Sequence, residues 1–166
     1  MVYMVSIDTG KQGAAVLWRG REIVDVYLFE EWQDGINARH FNDWLTGYSK
    51  LGQISFAIER VPTIPNQSVK TTSKQFNAVG ATYAICMLHS ESIVDFYPNQ
   101  WVTLIRRLLR DSDSHAKKMS QRVVAKYFPD IFEKYKKRKK CHDGVCDAIC
   151  IGMYAKIEHF AMLVTD

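Results

Sequence analysis

The order of apolar runs predicts an α/β domain on a mixed five-stranded sheet flanked by helices. The first three strands are expected to be antiparallel, and the later two parallel to the first. Two observations carry this. Three strand-like runs follow one another within residues 2–29, separated only by turn residues. Beyond them, helical and strand periodicities alternate, and strands reached through helical crossovers pair in parallel.

Taken in order, residues 2–8 are rich in Val, Ile and Tyr and read as a buried strand. Thr9-Gly10-Lys11-Gln12-Gly13 is a turn, and residues 14–18 return as a hairpin partner. Arg19-Gly20-Arg21 turns again into a third strand, 22–29. Phe41, Trp44, Leu45 and Tyr48 recur at helical spacing, which makes 37–48 an amphipathic helix. Residues 53–59 form the fourth strand. Pro62 and Pro65, among Asn, Gln, Ser, Thr and Lys, mark 60–73 as an exposed loop. A helix over 74–89 follows, in which Ala78, Gly80, Ala81 and Ala84 permit close packing. Residues 92–97 are a short fifth strand. Pro98 suits the first turn of a helix reaching Leu109. Asp111-Ser112-Asp113-Ser114 link and cap a helix over 115–128, and Pro129 stops it. The basic run 134–140 reads as a loop, and 144–162 as the last helix.

At 166 residues the chain suits one domain, 1–166, with a real core. With 47% apolar and 24% charged residues, the composition is that of an ordinary soluble globular protein. No charged-then-apolar leader pattern is expected, and Asp147 interrupts the longest apolar stretch, so no membrane partner is expected either. Four cysteines, three of them clustered at 141, 146 and 150, do not resemble a secreted disulfide framework, which favours the cytoplasm. Charge is divided unevenly. Residues 1–100 hold 8 Lys/Arg against 10 Asp/Glu, and residues 101–166 hold 14 against 8. A polyanionic partner, nucleic acid first, suits the basic half; a solvated basic face is the plain alternative.

Three acids stand at the edges of strong apolar elements. Asp8 ends the first strand, Glu59 ends the fourth, and Asp147 lies inside Val145-Cys146-Asp147-Ala148-Ile149. A carboxylate in such surroundings is costly unless it is paired or binds a metal. Asp143 and Asp147 are four apart and share one helix face. Four converging carboxylates would suit Mg²⁺ or Mn²⁺. Two such ions about 4 Å apart activate water and stabilise the leaving oxygen in phosphodiester hydrolysis. A plain dipole role remains open for Asp143, and His142 could be a base, a phosphate contact or structural. Lys117 and Lys118 could neutralise charge near a phosphate or simply be solvated. Cys141-His142…Cys146…Cys150 fits no common structural zinc motif. Asp8-Thr9-Gly10 resembles the opening of an actin-like sugar kinase, but such kinases need two domains around the nucleotide. No nucleotide cofactor is therefore expected.

Together, Asp8-x-Gly10 after a strand, Ala57-Ile58-Glu59 closing a strand, and His142-Asp143-Gly144-x-x-Asp147-Ala148 opening a helix resemble the RuvC-type Holliday junction resolvases. These belong to the RNase H-like, retroviral-integrase-like superfamily, and the likeness is to its small phage and prophage members. It extends through Glu59-Arg60-Val61, Tyr97-Pro98-Asn99-Gln100-Trp101, Lys117-Lys118 and Phe128-Pro129-Asp130, and so covers nearly the whole chain. The resemblance implies an RNase H-like fold and a homodimeric, Mg²⁺-dependent endonuclease nicking opposed strands of a four-way DNA junction. It implies Asp8, Glu59 and Asp147 as metal ligands, with Asp143 or His142 as the fourth, because many relatives place that ligand where this chain has Gly144. Lys117 or Lys118 matches the family's active-site lysine region. Arg60, Lys70, Lys74, Lys117, Lys118, Lys136, Lys137, Arg138, Lys139 and Lys140 are the expected DNA contacts. Two further readings accompany it: a nuclease acting broadly on flaps, forks and three-way junctions, and a catalytically idle junction-binding module.

Overall fold

The computed structural model describes residues 1–10, 13–29, 36–61, 68–90, 92–109, 116–137 and 140–159; of 36, 37, 116–118 and 140 it describes the backbone alone. Strands β1 (Val2–Asp8), β2 (Ala14–Arg19), β3 (Glu22–Leu28), β4 (Gln53–Glu59) and β5 (Ile93–Phe96) form one sheet in the order β3-β2-β1-β4-β5. β1 and β3 pair antiparallel with β2, β4 pairs parallel with β1, and β5 pairs parallel with β4. This is the expected open mixed sheet, and its topology follows from connection length: tight turns first, helical crossovers later.

Side-chain alternation divides the sheet into two packed faces. Tyr3, Val5 and Ile7 of β1 join Phe56 and Ile58 of β4 against helix α1 (Ile36–Ser49) and the second half of helix α2 (Val69–His89), including Phe41, Leu45, Ile85 and Cys86. Asp25 of β3 fastens α1 to that face by accepting from Trp44 Nε1 at 2.7 Å and the Tyr48 hydroxyl at 2.9 Å. Met4 of β1, Val16 and Trp18 of β2 and Ala57 of β4 face the other way. They pack against helices α3 (Pro98–Leu109), α4 (Ala116–Tyr127) and α6 (Asp143–Glu158). α6 lies against the sheet and beneath α3 and α4, which is why its sequence is apolar almost all round.

α6 approaches the sheet very closely at Gly152. A Cβ there would stand 2.5 Å from Trp18 Nε1 and 2.7 Å from Ser6 Oγ. Those two atoms are themselves joined, the buried indole donating to the Ser6 hydroxyl at 2.8 Å. The Trp18 ring meets Phe128 edge-on, and Lys156 Nζ lies 3.4 Å from the ring centre. Burial pushes the Lys156 ammonium down to about 7. Indole, hydroxyl and helix backbone thus form one tight seat for α6.

Several elements differ from expectation. α2 begins at Val69 rather than 74, capped by Ser68, whose hydroxyl accepts from the Thr71 amide at 3.2 Å. Its first two turns are largely exposed, so they show no apolar periodicity, and the Ser68 cap marks where the helix starts. Pro129 ends α4 but also opens a short helix, α5 (Pro129–Lys134), because proline suits a first helical turn. The basic run is no simple loop. Lys136–Lys137 (β6) and Lys140–Cys141 (β7) pair as an antiparallel ribbon, which buries Cys141 and leads into α6. The last helix, expected over 144–162, ends earlier, at Glu158 with His159 as its C-cap; residues 160–162 lie outside the described residues. Among those described, no helix is long and apolar enough to cross a membrane.

Gly152→Ala is expected to destabilise the protein by about 1–3 kcal/mol, because a methyl group has no room beside the Trp18–Ser6 pair. Urea denaturation measures this, and an unchanged midpoint would mean that α6 is not seated this tightly.

Candidate active site

β1 and β4 run parallel with Ile7 beside Ile58, so Asp8 and Glu59 emerge as neighbours at the carboxyl ends of the two strands. This is the end of an open α/β sheet where ligands generally bind. By alternation, Asp8 follows Met4 and Ser6, and Glu59 follows Ala57, onto the face covered by α6. Asp147 stands in the second turn of that helix. A strand parity shared by two acids and one buried helix thus draws in carboxylates from both ends of the chain.

The electrostatics of Glu59 record the convergence. Its carboxyl is pushed up to about 8, first by burial, then by the charge of Asp8, with Asp147 adding to the effect. A hydrogen bond from Trp101 opposes the shift, the indole Nε1 donating to Oε1 at 2.7 Å. Asp8 Oδ1 accepts from the Gly10 amide at 2.9 Å. Gly13 tightens that turn: a Cβ there would collide with the Asp8 carbonyl, and its amide donates to the Gly10 carbonyl at 2.8 Å. Asp143, at the start of α6, accepts at Oδ1 from Gln121 Nε2 at 2.7 Å; the same amide group donates to the Cys141 carbonyl at 2.9 Å. Gln121 thereby ties α4 to both β7 and α6. His142 is the N-cap residue of α6, with its Nδ1 buried.

The donor chemistry suits a hard divalent cation, since every candidate ligand drawn toward Glu59 is a carboxylate oxygen. The hydroxyl of Thr9, next to Asp8 and only 6% exposed, has no hydrogen-bond partner among the described residues. A buried hydroxyl left so is costly unless something else satisfies it. Among the described residues, no three His, Cys, Asp or Glu side chains approach closely enough to hold one ion together. Asp8, Glu59 and Asp143 each accept from an N–H donor.

Arg60 directly follows Glu59 and is held by Asp95 Oδ2 at 3.0 Å and the Tyr97 hydroxyl at 2.9 Å, with its guanidinium over the Tyr97 ring. Lys70 and Lys74 are exposed on the first turns of α2. Lys136 is ion-paired with Glu133 at 2.7 Å, and Lys137 is exposed. The side chains of Lys117, Lys118 and Lys140, and residues Arg138 and Lys139 entirely, lie outside the described residues, as do Pro62 and Ile64. Cys86, Cys141, Cys146 and Cys150 are free, buried thiols. Trp101 and Gln121 join the site without being expected there. A buried tryptophan must find an acceptor for its N–H, but nothing in its neighbours along the chain names Glu59, 42 positions away. Gln121 carries no sequence signal at all.

A pH dependence follows from Glu59. Unfolded, it ionises near 4.5; folded and metal-free, near 8. The native carboxyl therefore keeps its proton to higher pH than the unfolded one. The stability this contributes is complete below 4.5 and is lost as pH rises through 8. In EDTA, Glu59→Gln should match wild type near pH 4.5 and melt higher than wild type at about pH 8.5. Equal melting temperatures at the higher pH would show that Glu59 is not a buried carboxylate among like charges.

Compared with known proteins, the chain matches no protein-family model and no curated protein, so the reading of this site rests on its own residues.

Proposed function

We propose that the protein is a metal-dependent, structure-selective endonuclease with an RNase H-like fold that resolves four-way DNA junctions by paired symmetric nicks. The observation that carries the reading is the placement of half-buried Glu59 beside Asp8 at the carboxyl ends of two parallel strands, on the face covered by the helix that bears Asp147. In this reading Asp8, Glu59 and Asp147 hold Mg²⁺, with Mn²⁺ as a substitute and two ions per site. Asp143, fixed by Gln121, is the fourth ligand, and His142 is its alternative. Ions held there would supply an activated water and neutralise charge at the scissile phosphate. The chain's own part is to hold its carboxylates at a rigid strand end and to bring the phosphodiester backbone to them.

Arg60 suits that second task. Its guanidinium is already oriented by Asp95 and Tyr97, one residue from Glu59. Lys70, Lys74, Lys117, Lys118 and the basic run 136–140 supply further positive charge. Two symmetric nicks require two active sites related by a two-fold axis, so the working unit is a homodimer. The outer side of α2, with Phe76, Met87 and Leu88 exposed, is the surface we assign to that contact. The setting is the cytoplasm of a bacterial or phage-infected cell.

With Mg²⁺, the protein should cut a synthetic four-way junction in preference to linear duplex. Asp8→Asn should abolish cutting, by about 10²-fold or more, while junction binding persists. Cutting that survives Asp8→Asn would overturn the site; equal cutting of flaps, forks and three-way junctions would favour the broader debranching activity; binding without metal-dependent cutting would favour the idle module. Replacing Lys137, Lys139 and Lys140 with alanine should weaken junction binding and flatten its dependence on salt, by roughly one unit of log–log slope for each phosphate that a lysine ceases to neutralise. An unchanged slope would remove the ribbon from the DNA interface.

A further inference from the structure

We propose that Trp101 is a positioning residue for Glu59, its indole N–H holding one carboxylate oxygen so that the other is presented to a divalent cation. The inference rests on the nuclease reading above and assigns a role that the family resemblance does not supply.

Three features argue for it. Trp101 is rigid: it is the fourth residue of α3, 4% exposed, and packed in the same core cluster as Phe96, Ile105 and α6. The turn that carries it is anchored by Pro98 and by Gln100, whose Oε1 accepts from the Tyr97 amide at 2.7 Å. The contact is short and directional, with Nε1 2.7 Å from Oε1. The donor is also neutral. A lysine or arginine in its place would orient Glu59 equally well but would cancel the negative charge on which a cation depends. An indole can only donate, so it selects an oxygen acceptor and leaves the carboxylate its charge. With Oε1 engaged, Oε2 is the oxygen left to ligate, and the plane of the carboxylate is set before an ion arrives. Donors that fix ligand orientation in this way typically govern metal affinity by about 10-fold or more.

The test is Mn²⁺ binding measured by calorimetry on the full chain. Trp101→Phe keeps an aromatic ring and deletes the donor. Its Mn²⁺ dissociation constant should rise by about 10-fold, while four-way junction binding in EDTA stays at the wild-type level. A folded Trp101→Phe protein with wild-type Mn²⁺ affinity overturns the positioning role. Glu59→Gln is the separate control on the underlying reading. If it binds Mn²⁺ as wild type does, or if wild type binds none, the metal site itself is wrong and the inference falls with it. Should Trp101→Phe fail to fold, the wild-type protein carries the test through its indole ¹⁵N–¹H resonances. The Trp101 signal, identified by its change in Glu59→Gln, should move on adding Mg²⁺, and a signal that stays fixed at saturating Mg²⁺ overturns the proposal.

Discussion

The seat of α6 on the sheet is the constraint on which the candidate site depends. Gly152 lets the helix backbone come down onto the Trp18 indole and the Ser6 hydroxyl, a distance that no larger residue allows. Asp147 lies five residues earlier on the same rigid helix, about 7.5 Å along its axis. The depth at which Gly152 rests therefore sets how near Asp147 comes to Glu59. Ser6 also belongs to β1, the strand that ends at Asp8, so the seat and one of the acids share a single element. Packing and site geometry are the same problem in this fold.

The second organising feature is the distribution of neutral N–H donors among like charges. The Gly10 amide, the Trp101 indole and the Gln121 amide each engage one oxygen of one acid, on Asp8, Glu59 and Asp143 in turn. None of the three carries a charge. They lower the cost of keeping carboxylates close without cancelling the field that those carboxylates create together. Glu59 shows the balance most clearly, since burial and its neighbours raise its carboxyl while Trp101 pulls it back. Such an arrangement gives up stability at the candidate site and is held in place by the core around it.

Much of this is legible along the chain. The five strands, the antiparallel opening and the parallel additions follow from apolar runs and from the lengths of the connections. Asp8 and Glu59 stand out because each closes an apolar strand, and Asp147 because it interrupts an apolar helix. Other features are hidden for specific reasons. The start of α2 is exposed, so no hydrophobic pattern marks it, and only the Ser68 cap does. The basic ribbon reads as a loop because its strands are two residues each, too short for an alternating pattern to register. Trp101 and Gln121 act through contacts 42 and 22 positions away, for which local sequence holds no mark.

By itself the sequence determined the five strands of the sheet and their directions, and it singled out Asp8, Glu59 and Asp147 as acids at the edges of apolar elements. Period-two alternation and the chemistry of carboxylates are local properties, written residue by residue. Only the tertiary structure decided which acids share a field, which neutral donors hold them, and how closely α6 approaches. Those depend on the register of β1 against β4 and on one close contact at Gly152. Both are distances between segments far apart in the chain, settled when all of them pack at once.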